Sequence, residues 1–330
     1  MQAKETDMQK IHHLFVIDPI SSLNIKLDSS LRIACALTKL GHEVAVCTPQ
    51  DISWLSQDGS ASCLAQSAVF KNSDIQDLSL SEPKLTALDT FHAIHMRKDP
   101  PYDLAYITCT WLLESAARKG VKVWNAPQAL RDFNEKLGIF HFPEYIHPAL
   151  VSTQPHQLKD FFLHKAHGDA ILKPLTLFGG RGVLRLNNQD MTPSQIDQIL
   201  AEETQHGQEH RLIQPFDKSI FDGEVRVFTA GGEAIAWCLK KPQGQNFLAN
   251  TRSGATLEAY TPSSDEQNMV QDIANRLLKK GVFFIGFDII GGKVSEINIT
   301  SPRLLHSPED THDYYSKIAA IIAKNLESNQ

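Results

Sequence analysis

The chain has 330 residues, with 32 Lys or Arg against 38 Asp or Glu, a formal charge of −6. At 42% hydrophobic and 21% charged residues the composition is globular, and at roughly 150 residues per domain the length predicts about two domains. The mildly acidic balance excludes the electrostatic footprint of a nucleic-acid or anionic-membrane binder, so any phosphate must be bound locally.

Residues 1–10 read as a polar tail, and His13–Ile17 as a buried strand ending at Asp18-Pro19. Asp28-Ser29-Ser30 supplies capping residues for a helix running to Leu40 and closed by Gly41, and Glu43–Cys47 is a second strand. This order predicts a parallel α/β unit with a right-handed crossover. Residues 50–88 read as polar and irregular, an edge decoration. The strand Ala93–Met96, a helix over 104–119 and the strand Val121–Asn125 then complete a first domain of residues 1–127, whose loops at the strand C-terminal ends are where open α/β sheets bind ligands. Beyond Pro127 the reading is a short helix over 134–139, a Pro-containing stretch to Pro155, helices over 157–165 and 193–203, and strands at 170–175, 183–186 and 212–215. Strands at 224–230, 234–239, 283–290 and 294–299 follow, with helices over 266–280 and 314–326.

Five cysteines, odd in number and without a C-x-x-C pair, argue against a disulfide framework or a structural zinc site. With no apolar run of about 18 residues and no signal-peptide core, the expected compartment is the cytoplasm, without membrane or nucleic-acid partners.

Three segments carry chemistry. The first is the pair of apolar strands around Gly291-Gly292, a hairpin signal. Glu296 and Asn298 share a strand face, and a three-residue loop Gly291–Lys293 would set Asp288 opposite Glu296. Three hard oxygen donors then converge, as Mg²⁺ requires. A two-residue loop would turn Glu296 away and leave an ordinary half-exposed polar face. The second is Gly179-Gly180-Arg181-Gly182, whose backbone can approach phosphate oxygens, or which is merely a turn. The third is a set of cations. Lys173 lies in an apolar strand, where it needs an anion or an escape to solvent, and Arg226 offers a fork to a phosphoryl group or a cross-strand ion pair to Glu224 or Glu233. Lys136, in Asn134-Glu135-Lys136-Leu137, reads alone as a surface residue.

Taken together, Phe15–Ile20, Asn24–Lys26, Asp28–Ser30, Met96–Pro101, Leu130–Asp132, Asn134–Leu137, Ile171–Leu175, Pro242–Gly244 and Glu296–Pro302 resemble, in order, the blocks of the ATP-grasp ligases, and among them the bacterial glutathione synthetase family. The resemblance runs from about residue 13 to 302. It implies an α/β and α+β chain: a Rossmann-like domain (1–127), an ATP-grasp lid subdomain (128–213) and a C-terminal ATP-grasp subdomain with the metal site (214–330). It implies that Lys136 and Lys173 hold ATP phosphates, that Gly179, Gly180, Arg181 and Gly182 close over them, and that Gln214, Pro215 and Phe216 line the adenine. Asp288, Glu296 and Asn298 would bind two Mg²⁺, with Mn²⁺ as an alternative, and Arg226 would stabilise the transferring phosphate. Asp18, Asn24, Arg97, Lys241, Arg252, Ser301 and Arg303 would face the substrates. On this reading Lys136, Lys173, Arg226, the glycine loop and bound Mg²⁺ gather positive potential in one cleft while the exterior stays acidic.

The implied activity is ligation of γ-glutamylcysteine and glycine through an acyl phosphate, with ADP and phosphate released by a homo-oligomeric enzyme. The departures from the family fall on the acceptor side. The segment 245–254 has fewer glycines and the single arginine Arg252, Lys240-Lys241 replaces an arginine, and Arg303–Pro308 replaces a short residue followed by an Arg-Glu pair. They leave open a relative that ligates another peptide or amino acid, or an ATP-binding sensor without catalysis.

Overall fold

The computed structural model describes residues 11–177, 179–244, 246–251 and 254–327. The N-terminal sheet starts with β1 (His12–Val16), whose Leu14, Phe15 and Val16 are all buried because both sheet faces are covered. Helix α1 (Ser29–Lys39) is capped by Asp28, which accepts from the Leu31 N–H at 2.8 Å, and leads to β2 (Glu43–Cys47), parallel to β1. Residues 50–88 are not irregular as expected: they form β3 (Ile52–Ser53), β4 (Ser62–Phe70), β5 (Leu78–Leu80) and β6 (Lys84–Ala87). The nine-residue β4 escapes pattern reading because small Cys63, Ala65 and Ala68 face inward while Leu64 and Val69 face solvent. Strand β7 (Ala93–Met96), helix α2 (Leu104–Ala117) and β8 (Lys122–Trp124) complete the order β3-β4-β2-β1-β7-β8, with β5 and β6 on β4.

The expected helix over 134–139 is instead a turn followed by a 3-10 segment, Gly138–His141. The α-helix comes earlier, as α3 (Pro127–Asp132), where Pro127 occupies a first-turn position that needs no N–H partner. A middle sheet follows: β9 (Leu150–Ser152), helix α4 (Pro155–His164), β10 (Asp169–Pro174), β11 (Leu184–Asn187), helix α5 (Pro193–Glu203) and β12 (Arg211–Pro215), in the order β11-β10-β12-β9. The third sheet contains β13 (Glu224–Ala230), β14 (Glu233–Lys241), β15 (Thr256–Ala259), β16 (Phe284–Ile290) and β17 (Lys293–Asn298), in the order β15-β14-β13-β16-β17. Helix α6 (Ser264–Leu278) packs on this sheet, and α7 (Tyr314–Glu327) returns to pack on α1. No helix of the described residues is long and apolar enough to cross a membrane.

The first and third sheets share their cores. Leu113 of α2, Leu130 of α3, Ile273 of α6 and Phe287 of β16 belong to one apolar cluster, and Leu37 of α1, Phe284 and Ile318 of α7 to another. Asn125 joins them at the backbone level: its Nδ2 donates to Phe284 O (2.8 Å) and Ile299 O (2.6 Å), and its Oδ1 accepts from the Phe283 (2.7 Å) and Phe284 (2.8 Å) N–H groups. The middle sheet has its own cluster around Leu158, Phe162, Leu172 and Ile213. Its strands run from 150 to 215, past the expected boundary at 213/214, while residues 127–142 contribute Ala129, Leu130, Ile139 and Phe142 to the core under the third sheet.

A chain of histidines, His13 and His95 buried and His42 half-buried, runs through the first domain. His95 Nε2 lies 3.0 Å from His13 Nδ1, and His13 Nε2 lies 2.9 Å from His42 Nδ1. His95 Nδ1 has no partner among the described residues, so leaving it unprotonated is the cheaper arrangement. His95 then donates to His13, and His13 to His42. Burial, reinforced by repulsion from His42, lowers the His13 pKa to about 3. The folded state therefore refuses a proton that the unfolded chain accepts near pH 6.5, and stability falls as pH drops from there toward 3. The urea midpoint is expected to fall between pH 7.5 and 5, and His13→Gln is expected to shrink that difference.

Candidate active site

One cleft between the middle and third sheets collects most of the residues singled out by sequence. Alternation within strands explains the gathering. Ile171 and Lys173 enter it from β10, Glu224 and Arg226 from β13, Lys240 from β14, Asp288 and Ile290 from β16, and Glu296 and Asn298 from β17.

The hairpin that presents the acids has a two-residue loop, not the expected three. Ile290 pairs with Lys293 across Gly291-Gly292, both at positive φ (56° and 73°), as such tight turns require. Asp288 nevertheless pairs with Glu296, because the register shifts between Asp288 and Ile289 and leaves Ser295 as an extra residue. The bulge restores the face that the short loop would have lost.

Asp288 is the most heavily engaged of the acids. Arg226 Nη1 donates to its Oδ2 at 2.7 Å, Lys240 Nζ to its Oδ1 at 2.6 Å, and Asn298 Nδ2 to its Oδ2 at 3.0 Å. Burial pushes the carboxyl pKa up, but the Arg226 and Lys240 charges prevail and hold it at about 2. Lys240 also pairs with Glu224, and Lys136 with Glu296 at 3.0 Å. Glu135, buried and close to the Glu296 charge, is pushed up to about 7. Lys173 makes no ion pair among the described residues, and burial lowers its pKa. The side chains of the cleft balance in charge: Asp99, Glu135, Asp217, Glu224, Asp288 and Glu296 face Lys136, Lys173, Arg181, Arg226, Lys240 and Arg303.

The donor set fits a hard divalent cation. Both amide hydrogens of Asn298 are spent, on Gly286 O (3.2 Å) and on Asp288, so its Oδ1 is the atom left to ligate beside two carboxylates. Gly179, Gly180 and Gly182 line or border the cleft with φ of 65°, 77° and 68°, a conformation that leaves their amides uncovered. Asn250 Nδ2 donates to Gly179 O, so segment 246–251 touches the glycine loop. Gln214, Pro215 and Phe216 form one wall, where the Arg185 guanidinium sits 3.7 Å from the Phe216 ring centroid.

The expected substrate residues divide. Ser301 and Arg303 line the cleft. Asp18 stands behind it, paired with Lys98 at 2.7 Å and accepting from the Asp99 N–H at 2.8 Å. Arg97 is buried, its Nε donating to Ser30 Oγ (3.0 Å) and its Nη2 to Pro302 O (2.8 Å). Asn24 is exposed outside the cleft. Lys241 is exposed outside the cleft, and Lys240 is the lysine that enters it, because Cys238 and Lys240 alternate inward on β14. That alternation was legible in the sequence. Arg252 lies outside the described residues. Sequence reasoning also passed over Glu135, Asp99 and Thr300, which line the cleft from turns and strand ends that carry no periodic signal.

The architecture and its cleft are those of an ATP-grasp ligase. Among solved structures, D-cycloserine synthetase DcsG superposes with a TM-score of 0.66 at 14% identity, covering 95% of this chain and 99% of that one. The ATP-grasp ligase PsnB complexed with minimal precursor gives 0.62 at 17% identity, covering 97% and 100%. The family model for the prokaryotic glutathione synthetase N-terminal domain matches residues 11–131, and that for its ATP-grasp domain matches residues 135–312. Glutathione synthetase of Vibrio parahaemolyticus is 36% identical over 299 residues (90% of this chain, 92% of that protein), and that of Photorhabdus laumondii 37% over 288 residues (87% and 89%). The chain belongs to the prokaryotic glutathione synthetase family, as an ATP- and Mg²⁺-dependent carbon–nitrogen ligase of that type.

Removing the Asp288 charge leaves Arg226 without an acid and Lys240 with Glu224 alone. Asp288→Asn is expected to cost about 3 kcal/mol of folding stability in urea titrations. Adding Arg226→Met in the same chain is expected to recover part of that loss, since the stranded charge then disappears.

Proposed function

We propose that this chain joins the cysteine carboxylate of γ-glutamylcysteine to the amine of glycine. The observation that carries this reading is the convergence of Asp288, Glu296 and Asn298 with Lys136, Lys173 and Arg226 in one cleft, together with relatives named glutathione synthetase. A carboxylate oxygen attacks the γ-phosphorus of ATP and ADP leaves. The amine then attacks the carbonyl carbon of the acyl phosphate, phosphate departs, and the amine loses a proton. Such phosphoryl transfer asks for charge neutralisation and positioning more than for a covalent nucleophile.

On this reading Lys136 and Lys173 hold the phosphates, Gly179, Gly180, Arg181 and Gly182 cover them and exclude water, and Gln214, Pro215 and Phe216 receive the adenine. Arg226 faces the transferring phosphoryl and the tetrahedral centre that follows. Asp288, Glu296 and Asn298 hold Mg²⁺, or Mn²⁺ with the same donors, which supplies positive charge to the phosphate oxygens. Two ions suit the cleft: a tetra-anionic nucleotide with two divalent cations is neutral, and so is the balanced wall that receives it. Ser301 and Arg303 face the substrates, and Arg97 supports that side from behind through Pro302 O. The described middle sheet, residues 150–215, is the lid. A second reading, ligation of an amine larger than glycine, is favoured by Phe247, Leu248 and Leu305, apolar side chains that line the cleft.

We infer the cytoplasm as the compartment, since all five cysteines are buried and free. We infer a homo-oligomer as well, because α2 is apolar on its outer face too, with Leu104 70% and Trp111 51% exposed.

An ADP-release assay with γ-glutamylcysteine is expected to show turnover only with an amine present, and mass spectrometry of products from a panel of amines identifies the acceptor. No turnover above the ATP blank across that panel overturns the ligation reading. Light scattering is expected to give a mass above that of one chain, reduced by Trp111→Glu; a monomeric wild type removes the oligomer reading.

A further inference from the structure

The turn Asn134–Leu137 touches both walls of the cleft. Asn134 Oδ1 accepts from the Lys136 N–H at 3.0 Å and the Leu137 N–H at 3.2 Å, which closes the turn. Its Nδ2 reaches the middle sheet, donating to Leu175 O at 3.1 Å just beyond β10. Lys136 Nζ donates to Leu177 O at 2.6 Å, two residues nearer the glycine loop. The same turn grips the strand that bears Glu296 and Asn298. Glu135 O accepts from the Ile297 N–H at 3.1 Å, Glu135 Oε1 accepts from the Thr300 hydroxyl at 2.8 Å, and Lys136 pairs with Glu296. Asn134, Glu135 and Lys136 thus tie the root of the glycine loop to the acid-bearing hairpin.

The two ties to the loop root differ in kind. Lys136 is a cation on a flexible stem, and a phosphate arriving in the cleft competes with Leu177 O and Glu296 for its three N–H groups. Asn134 is neutral and short, and its amide oxygen is held by two backbone donors, so its Nδ2 has a fixed direction. The glycine loop has no side chain at Gly179, Gly180 or Gly182 with which to find its own register, so its placement over a ligand rests on residues 175–177 at its root and on the Asn250 contact to Gly179 O.

We propose that Asn134 is a positioning residue for nucleotide binding, holding the root of the glycine loop in register when the nucleotide claims Lys136. The inference rests on the assignment of Lys136 and the glycine loop to ATP phosphates. Asn134 touches no reacting atom and acts through Leu175 O.

Two variants separate this role from its neighbours. Asn134→Ser keeps an oxygen to close the turn but cannot reach Leu175, and it adds no charge; Asn134→Asp keeps the geometry and sets an oxygen against Leu175 O. Binding of a non-hydrolysable ATP analogue with Mg²⁺ is measured by calorimetry on the full chain, with hydrogen exchange of residues 175–183 followed with and without the analogue. Both variants are expected to bind about tenfold more weakly, the equivalent of one lost hydrogen bond (~1.4 kcal/mol). They are also expected to lose the exchange protection that the analogue gives the wild type, to raise KM for ATP while leaving KM for the carboxylate and amine substrates unchanged, and to lower the urea midpoint by no more than the loss of one hydrogen bond accounts for. Wild-type affinity and protection in Asn134→Ser overturns the proposal, including the case in which only Asn134→Asp weakens binding, which is a charge effect. A parallel loss of stability and of every KM overturns it in favour of a plain structural role. A wild type that binds no analogue overturns it together with the nucleotide assignment, whereas the other outcomes leave that assignment standing.

Discussion

A carboxylate under a sheet stays ionised only if its neighbours supply the positive charge and hydrogen bonds that water would have supplied. Asp288 meets that condition with Arg226, Lys240 and Asn298, each from a different strand of the third sheet. The condition propagates. Lys240 needs Glu224 as its second acid, and Glu296, opposite Asp288, needs Lys136 from the 134–137 turn. The strand order β14-β13-β16-β17 is the order in which these charges must meet, so the architecture of the third sheet and the electrostatics of the cleft are one constraint.

That constraint explains why the cleft is balanced and not basic. A cleft lined by unopposed cations would draw in free phosphate and nucleotide indiscriminately, whereas a balanced one favours a ligand that brings its own compensating cations. Lys173 departs from this pattern. Half-buried and without an ion pair among the described residues, it gains from an incoming anion.

Much of this was legible in the sequence where a regular period carries the information. The strands Glu43–Cys47, Ala93–Met96 and Glu224–Ala230 and the helix Pro193–Glu203 fall where alternation, caps and breakers place them. Period failed where the buried residues are small, as in β4, and where an extra residue breaks the count. The hairpin is the instructive case. A two-residue loop was the outcome expected to disperse the acids, and the bulge at Ser295 reverses that consequence. A one-residue insertion in a strand has no compositional signature, so the gathering of Asp288, Glu296 and Asn298 followed from resemblance and not from spacing. Lys240 was within reach of strand alternation, while Glu135 and Asp99 sit in turns whose direction only tertiary packing determines.

Asn125 spends its whole amide on the backbone of β16 and of the segment after β17, and the cores on either side of it run from the first sheet into the third without a break. Mechanically the chain has two parts where its topology suggests three: a welded block made from its two ends, and a middle sheet inserted between them. The ends must find each other before the block exists, so contacts separated by more than 150 residues, such as Asn125 with Phe284, make this a high-contact-order assembly. Cutting between the first sheet and the remainder would expose aromatic surface such as Trp124 and Phe283, which stack at 4.6 Å, whereas the middle sheet alone closes its own core. The natural place to divide this protein is around its insert, at two points of the chain, and not at the junction of its sequence domains.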